Sequence, residues 1–184
     1  MDEHPSILEE LHRWTQQQPN KQLYTFLDDN GKEVDKLTYK ELSDYSSAIA
    51  QHLLLPEAQK GAGLVRGDRA LLVYPPGLAF IAAFLGALRA GVVPVPVYPP
   101  ALNQLRASTL DNFAGIQRSA GARAALTDSR FNTARRAINL KGKFSSEAVE
   151  WPELQWIVTD KIEGAGGRRG LFGGGARVAA AEGT

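Results

Sequence analysis

Cysteine is absent from all 184 residues, which removes a disulfide framework, a thiolate zinc site and a cysteine nucleophile together. Histidine is scarce. His4, His12 and His52 are the whole set, and none pairs with another at the spacing of a helical zinc motif such as HExxH. Neither sign of charge dominates: 21 Lys and Arg stand against 20 Asp and Glu, a formal net charge of +1. That balance provides no broad field to gather nucleic acid or an anionic membrane surface, so no nucleic-acid partner is expected. The start, Met1-Asp2-Glu3-His4-Pro5, is acidic and lacks the apolar core of a secretory signal or the basic character of a transit peptide, which makes cytoplasmic the expected location.

The longest uncharged run, Ala70 to Leu88, covers 19 residues, enough to raise the question of a membrane span. Pro75-Pro76-Gly77 near its start would break a spanning helix and suits a short buried strand, Ala70 to Tyr74, turning into a helix from Leu78 to Ala90. No transmembrane segment is expected, a re-entrant hairpin being the alternative. What remains is an ordinary globular composition, 43% hydrophobic and 22% charged, sufficient for one domain with a tail.

Local patterns divide the chain into alternating elements. Ser6 and Glu9 have capping-box spacing, predicting a helix from Ile7 to about Gln18, ended by Pro19-Asn20. Leu23 to Leu27 and Val34 to Leu37, joined through Asn30-Gly31, predict a small hairpin. Thr38 and Glu41 form a second capping box, behind which Leu42, Tyr45, Ile49 and Leu53 make one buried helical stripe running to about Pro56. Gly61 to Gly67 is glycine-rich, but it has one residue too many for the dinucleotide fingerprint and precedes a strand instead of a helix, so it is read as a connector.

The Leu78 to Ala90 helix has Arg89 in its last turn and Gly91 as its stop, and Leu78, Phe80, Ile81, Phe84, Leu85 and Leu88 cover more than one face. Protein should surround most of it. Val92 to Val97 is a strand with Pro94 and Pro96 in alternation, which removes two donors on one side and predicts an edge or irregular strand. Val73-Tyr74-Pro75-Pro76 recurs as Val97-Tyr98-Pro99-Pro100 after one intervening helix. A right-handed β-α-β crossover with parallel strands would bring both Tyr-Pro-Pro turns to the carboxyl edge, where open α/β sheets bind ligands. Leu102 to Ala120 predicts another helix through Leu105, Leu110, Phe113 and Ile116, with Gly121 as its stop. Ala124 to Thr127 is a strand, Asp128 or Ser129 caps a helix through Phe131, Ala134 and Ile138, and Leu154 to Val158 is a strand again. The alternation predicts an α/β fold with a largely parallel, doubly wound sheet.

Composition changes after Ile162, where eight of the last 22 residues are glycine. The expected organisation is one partial domain over 1–162 and a glycine-rich flexible tail over 163–184. Gly166-Gly167-Arg168-Arg169-Gly170 is a single arginine-glycine instance in a nearly neutral chain, and the tail reading is preferred to a nucleic-acid contact.

Two stretches carry a family resemblance. Leu37-Thr38-Tyr39-Lys40-Glu41-Leu42 resembles the first core motif of the acyl-adenylate-forming (AMP-dependent synthetase/ligase) superfamily, and Leu88-Arg89-Ala90-Gly91-Val92-Val93-Pro94-Val95-Pro96 resembles the second. The stretch from Val73 to Phe84 and Pro96-Val97-Tyr98-Pro99-Pro100 resemble its fatty acyl-AMP ligase branch, and the likeness extends over roughly Leu8 to Asp160. The resemblance implies activation of a fatty acid by ATP, with Mg²⁺, to an acyl-adenylate, then transfer to an acyl carrier protein.

The sequence departs from that family after Ile162. The Ser/Thr- and Gly-rich phosphate loop ending in lysine, the later nucleotide-binding motifs and the carboxy-terminal domain with its catalytic lysine have no counterpart. After Thr159 no Ser or Thr occurs until Thr184, and no Lys follows Lys161. The matched motifs have structural explanations as well: Thr38 and Glu41 cap a helix, and Gly91 to Pro96 stop one and start a strand. No residue is therefore assigned a catalytic, cofactor-binding or metal-binding role. The expectation is an amino-terminal fragment, inactive by itself and binding no cofactor productively. A fragment of another carboxylic-acid adenylating enzyme, either an acyl-CoA ligase or a peptide-synthetase adenylation domain, and a non-catalytic α/β interaction module are the alternatives.

Overall fold

Two reciprocal caps set the first helices in the computed structural model, which describes residues 5–142 and 151–164. Helix α1 (Ile7–Gln17) starts where the Ser6 hydroxyl accepts from Glu9 N–H and the Glu9 carboxylate accepts from Ser6 N–H. Strands β1 (Gln22–Leu27) and β2 (Glu33–Thr38) then pair antiparallel. In their turn the Asp28 carboxylate accepts from Asn30 and Lys32 N–H, and Gly31 adopts φ +77°. The Thr38–Glu41 box opens α2 (Tyr39–Leu54), whose Leu42, Tyr45, Ile49 and Leu53 are all buried, as their spacing predicts.

The glycine-rich stretch is a connector. Ala62 N–H donates to His52 O and Leu64 N–H to Leu53 O, both at 2.9 Å, so the loop folds back on the end of α2 and satisfies its open carbonyls. It leads directly into β3.

From there the chain alternates: β3 (Arg69–Leu72), α3 (Leu78–Ala90), β4 (Val93–Pro96), α4 (Ala107–Ala120), β5 (Ala124–Thr127), α5 (Ser129–Gly142) and β6 (Gln155–Val158). The four strands lie in the order β4-β3-β5-β6, and every neighbouring pair is parallel. On one face α2 and α3 cover Ala70, Leu72, Ala124, Leu126 and Ile157, while on the other Phe113 of α4 and Phe131 of α5 cover Leu71, Val73, Ala125 and Trp156. Helices on both faces make the sheet doubly wound. The first crossover steps outward to β4 and the next returns past β3 to β5, which puts the topological switch point between β3 and β5.

Strand β4 is an edge for the reason its prolines give. Val93 N–H donates inward to Asp68 O at 2.8 Å and Val97 N–H to Leu72 O at 3.2 Å, so Pro94 and Pro96 remove donors only from the outward side. Helix α3 is enclosed, although of the large residues that pattern alone emphasises only Leu78 and Leu85 are buried. Ala79, Ala82, Ala83, Gly86 and Ala87 are buried, whereas Phe80, Ile81, Phe84 and Leu88 are half-buried. Small side chains let α3 lie close against α2. A Cβ on Gly86 would come within 2.7 Å of Ile49 Cγ2.

Helix α4 begins at Ala107, later than the periodicity predicts. Leu102–Gln104 forms one 3-10 turn, Leu105 is extended, and Leu102 packs into the α4–α5 core instead of joining the helix. Its stripe is narrower too, with Leu110 and Phe113 buried and Ile116 exposed. Among the described residues no helix is long and apolar enough to cross a membrane. Residues 165–184, most of the predicted tail, lie outside the described residues.

Candidate functional site

All four parallel strands deliver their carboxyl ends to one edge, and they do so in two matched pairs. The ladder continues one residue past β3 and β4, since Val73 N–H donates to Leu126 O and Val97 N–H to Leu72 O. Each valine is followed by Tyr-Pro-Pro. Strands β5 and β6 end instead in Thr127-Asp128 and Thr159-Asp160.

The Tyr-Pro-Pro turns wall a cleft of about 360 Å³, lined by Tyr74, Pro75, Phe80, Pro96, Val97 and Tyr98 among others. Tyr74 is only 5% exposed and sits edge-on to Phe80, with ring centroids 6.3 Å apart, whereas Tyr98 is 91% exposed. The cleft is therefore one buried phenol, one open phenol and a wall of prolines that offer no N–H.

Beneath it, Thr159 joins three strand ends. Its hydroxyl bonds the Tyr74 hydroxyl at 2.9 Å and donates to Thr127 O at 3.3 Å, while the Thr127 hydroxyl donates to Val73 O at 2.7 Å. The aspartates fix the start of α5: Asp128 accepts from Phe131 N–H at 2.7 Å, and Asp160 accepts from both N–H and hydroxyl of Ser129. Burial pushes the Asp128 carboxyl above its usual range. It also pushes the Tyr45 phenol, on the adjoining helix, up to about 12 and the Tyr74 phenol well above its ordinary value.

With both phenols neutral, the threonines bonded to Tyr74 and to strand-end carbonyls, and the aspartates bonded to the first turn of α5, this cluster fixes the positions of the strand ends. The residues do not fit a triphosphate with Mg²⁺. Such a ligand needs convergent N–H or cationic donors and oxygen ligands for the metal, whereas this cleft is apolar and its neighbouring carboxylates are already hydrogen-bonded. Among the described residues no three His, Asp or Glu side chains gather as a metal site. His12 is exposed and His52 half-buried on α2, and His4 lies outside the described residues. Sequence reading singled out the Tyr-Pro-Pro repeat but passed over the repeated Thr-Asp, whose signal is the same: one dipeptide closing two apolar strand runs.

Comparison with known proteins identifies this architecture. The AMP-binding enzyme family matches residues 11–163. The medium-chain-fatty-acid–[acyl-carrier-protein] ligase JamA of Moorena producens is 38% identical over 161 residues, covering 87% of this chain and 25% of that protein. The human Disco-interacting protein 2 homolog A is 34% identical over 165 residues, 85% of this chain but 10% of that protein. Among solved structures, the fatty acid AMP ligase from Legionella pneumophila superposes with a TM-score of 0.65 at 30% identity, covering 86% of this chain and 24% of that one. The chain thus spans about a quarter of the ligases it matches. It belongs to the AMP-binding enzyme family, the acyl-adenylate-forming ligases, and corresponds to the amino-terminal region of their fatty acyl-AMP branch.

Proposed function

We propose that this chain is the sheet-and-edge scaffold of a cytoplasmic fatty acyl-AMP ligase, and that it does not catalyse adenylation by itself. In the complete reaction a fatty carboxylate oxygen attacks the α-phosphorus of ATP, the bond to the bridging oxygen breaks, and pyrophosphate leaves with the negative charge. The acyl group then passes from AMP to the thiol of a carrier protein. The departing charge requires convergent cations and donors, such as Mg²⁺, lysine and backbone N–H groups. Those belong, in this reading, to parts of the ligase beyond the matched quarter. The division into a domain over 1–162 and an appended tail over 163–184 is part of the same proposal, supported by the change in composition at Ile162.

One observation carries the reading: the family match over residues 11–163 and the likeness to a fatty-acid ligase over 87% of the chain span the parallel sheet and both Tyr-Pro-Pro segments at its carboxyl edge. ATP–pyrophosphate exchange with medium- and long-chain fatty acids tests it. The purified 184-residue chain should give no exchange above a boiled control. A chimera in which residues 5–164 replace the matching region of the Moorena ligase should exchange with a medium-chain acid. Activity of the chain alone, or a folded chimera that is inert, would refute the proposal.

A further inference from the structure

The hairpin of β1 and β2 turns on one aspartate. Asp28 Oδ1 accepts from Asn30 N–H and from Lys32 N–H, each at 2.9 Å. Its carbonyl accepts from Gly31 N–H, and its own N–H donates to Lys32 O, both again at 2.9 Å. Each of these turn bonds begins or ends on Asp28.

At the tip sits the sequence's one Asn-Gly pair, Asn30-Gly31. Both residues are exposed, and Gly31 takes φ +77°, the left-handed region that glycine enters without steric cost. A Cβ built on Gly31 would meet nothing within 4 Å, and no hydrogen bond among the described residues engages the Asn30 carboxamide. The asparagine side chain can therefore turn toward the next backbone nitrogen, which carries no side-chain bulk against it.

Those are the requirements for closing a five-membered ring. Gly31 N, giving up its proton to solvent base, attacks Asn30 Cγ: the N–Cγ bond forms, the Cγ–Nδ2 bond breaks, and the carboxamide nitrogen leaves with a proton as ammonia. Water then opens the cyclic imide. Breaking N–Cγ leaves an ordinary aspartate, whereas breaking the bond from Gly31 N to the Asn30 main-chain carbonyl carbon leaves a β-linked isoaspartate. One water is consumed, one ammonia is released, and nothing is oxidised or reduced. The obstacle is the Gly31 N–H bond to Asp28 O, which must open before that nitrogen can attack, and the Asp28 carboxylate holds the amides on either side of it.

We propose that Asn30-Gly31 is a self-modification site, whose conversion to aspartate and isoaspartate is braked by the Asp28 turn. Either product places a further negative charge beside Asp28, Asp29 and Glu33, and the β-linked one adds an atom to the backbone of a turn that sets the β1–β2 register. The proposal is independent of the adenylation reading.

Incubation of the full 184-residue chain in mildly alkaline buffer tests it, with tryptic mapping of Gln22 to Lys32 against synthetic standards of both linkages. That peptide should gain about 1 Da and resolve into the two products. In the native chain it should convert about tenfold more slowly than in the urea-unfolded chain, because the turn must open first. Asp28→Ala removes the acceptor of two turn amides and should raise the native rate about fivefold, while Asp28→Asn keeps an acceptor oxygen and should stay within about twofold of the parent. Asn30→Gln, which would need a larger ring, should not convert. A native chain still unmodified after about ten half-lives of the unfolded reaction would overturn the site, and equal native and unfolded rates would overturn the brake. That comparison uses the unaltered sequence, so it stays decisive even if Asp28→Ala fails to fold.

Discussion

Val-Tyr-Pro-Pro occurs twice at the same edge of one sheet, and its two tyrosines have opposite fates. Tyr74 follows β3, which lies between β4 and β5, and its ring is roofed by α3 while its hydroxyl reaches Thr159. Tyr98 follows β4, the outermost strand, and is 91% exposed. Identical tetrapeptides thus yield a core residue and a surface residue because one strand has neighbours on both sides. The repeat marks the carboxyl edge of the sheet, and the place of each copy in the strand order decides whether its tyrosine is buried.

The largest test of this contrast is truncation of each ring. Tyr74→Ala should cost about 3–5 kcal/mol, as large-to-small changes in a packed core do. Tyr98→Ala should change stability by less than about 0.5 kcal/mol. Urea denaturation of the two variants gives both numbers, and equal losses would abolish the distinction.

A second contrast sets the two helical layers against each other. A Cβ at Gly86 meets Ile49 Cγ2 at 2.7 Å and Ser46 O at 3.0 Å, so Gly86→Ala should force α2 and α3 apart at a cost of about 1–3 kcal/mol. Gly115, inside α4, has nothing within 4 Å of its Cβ position, and Gly115→Ala should stabilise by up to about 1 kcal/mol. Thermal melts of the pair should therefore shift in opposite directions.

Finer still is the hydroxyl alone. Tyr74→Phe keeps the ring and loses the bond to Thr159, which should cost about 0.5–1.5 kcal/mol, while Tyr98→Phe should be silent. A double-mutant cycle with Thr159→Val should recover most of the loss as coupling, because in that background the Tyr74 hydroxyl has already lost this partner.

The smallest effect concerns pH. Burial holds the His52 imidazole below its ordinary value of 6.5, so the unfolded chain takes up that proton at higher pH than the folded one. The stability His52 supplies is fully present above 6.5 and fades as pH falls through the lower folded value. His52→Gln should flatten that part of the acid slope in urea midpoints measured at successive pH values.

Much of this architecture was legible because it is locally encoded. Ser6 with Glu9 and Thr38 with Glu41 close their boxes through contacts three residues apart, and Leu42, Tyr45, Ile49 and Leu53 lie on one helical face by spacing alone. Pro94 and Pro96 announce an edge strand because a missing N–H is a property of the residue. The candidate site was half legible. Tyr-Pro-Pro stood out as an unusual repeat, whereas Thr127, Asp128, Thr159 and Asp160 use common residues whose importance depends on partners up to 85 positions away.

The sequence by itself determined the elements, their caps, the proline-blunted edge and the family, since each rests on short-range geometry or on motif identity. Only the tertiary structure decided that the order is β4-β3-β5-β6 and that one Tyr-Pro-Pro tyrosine is buried and the other open. It alone showed that Thr159 ties three strand ends together. Those features depend on which strand lies beside which, and strand neighbours are chosen by the packing of both sheet faces together, at sequence separations where local preference has no reach.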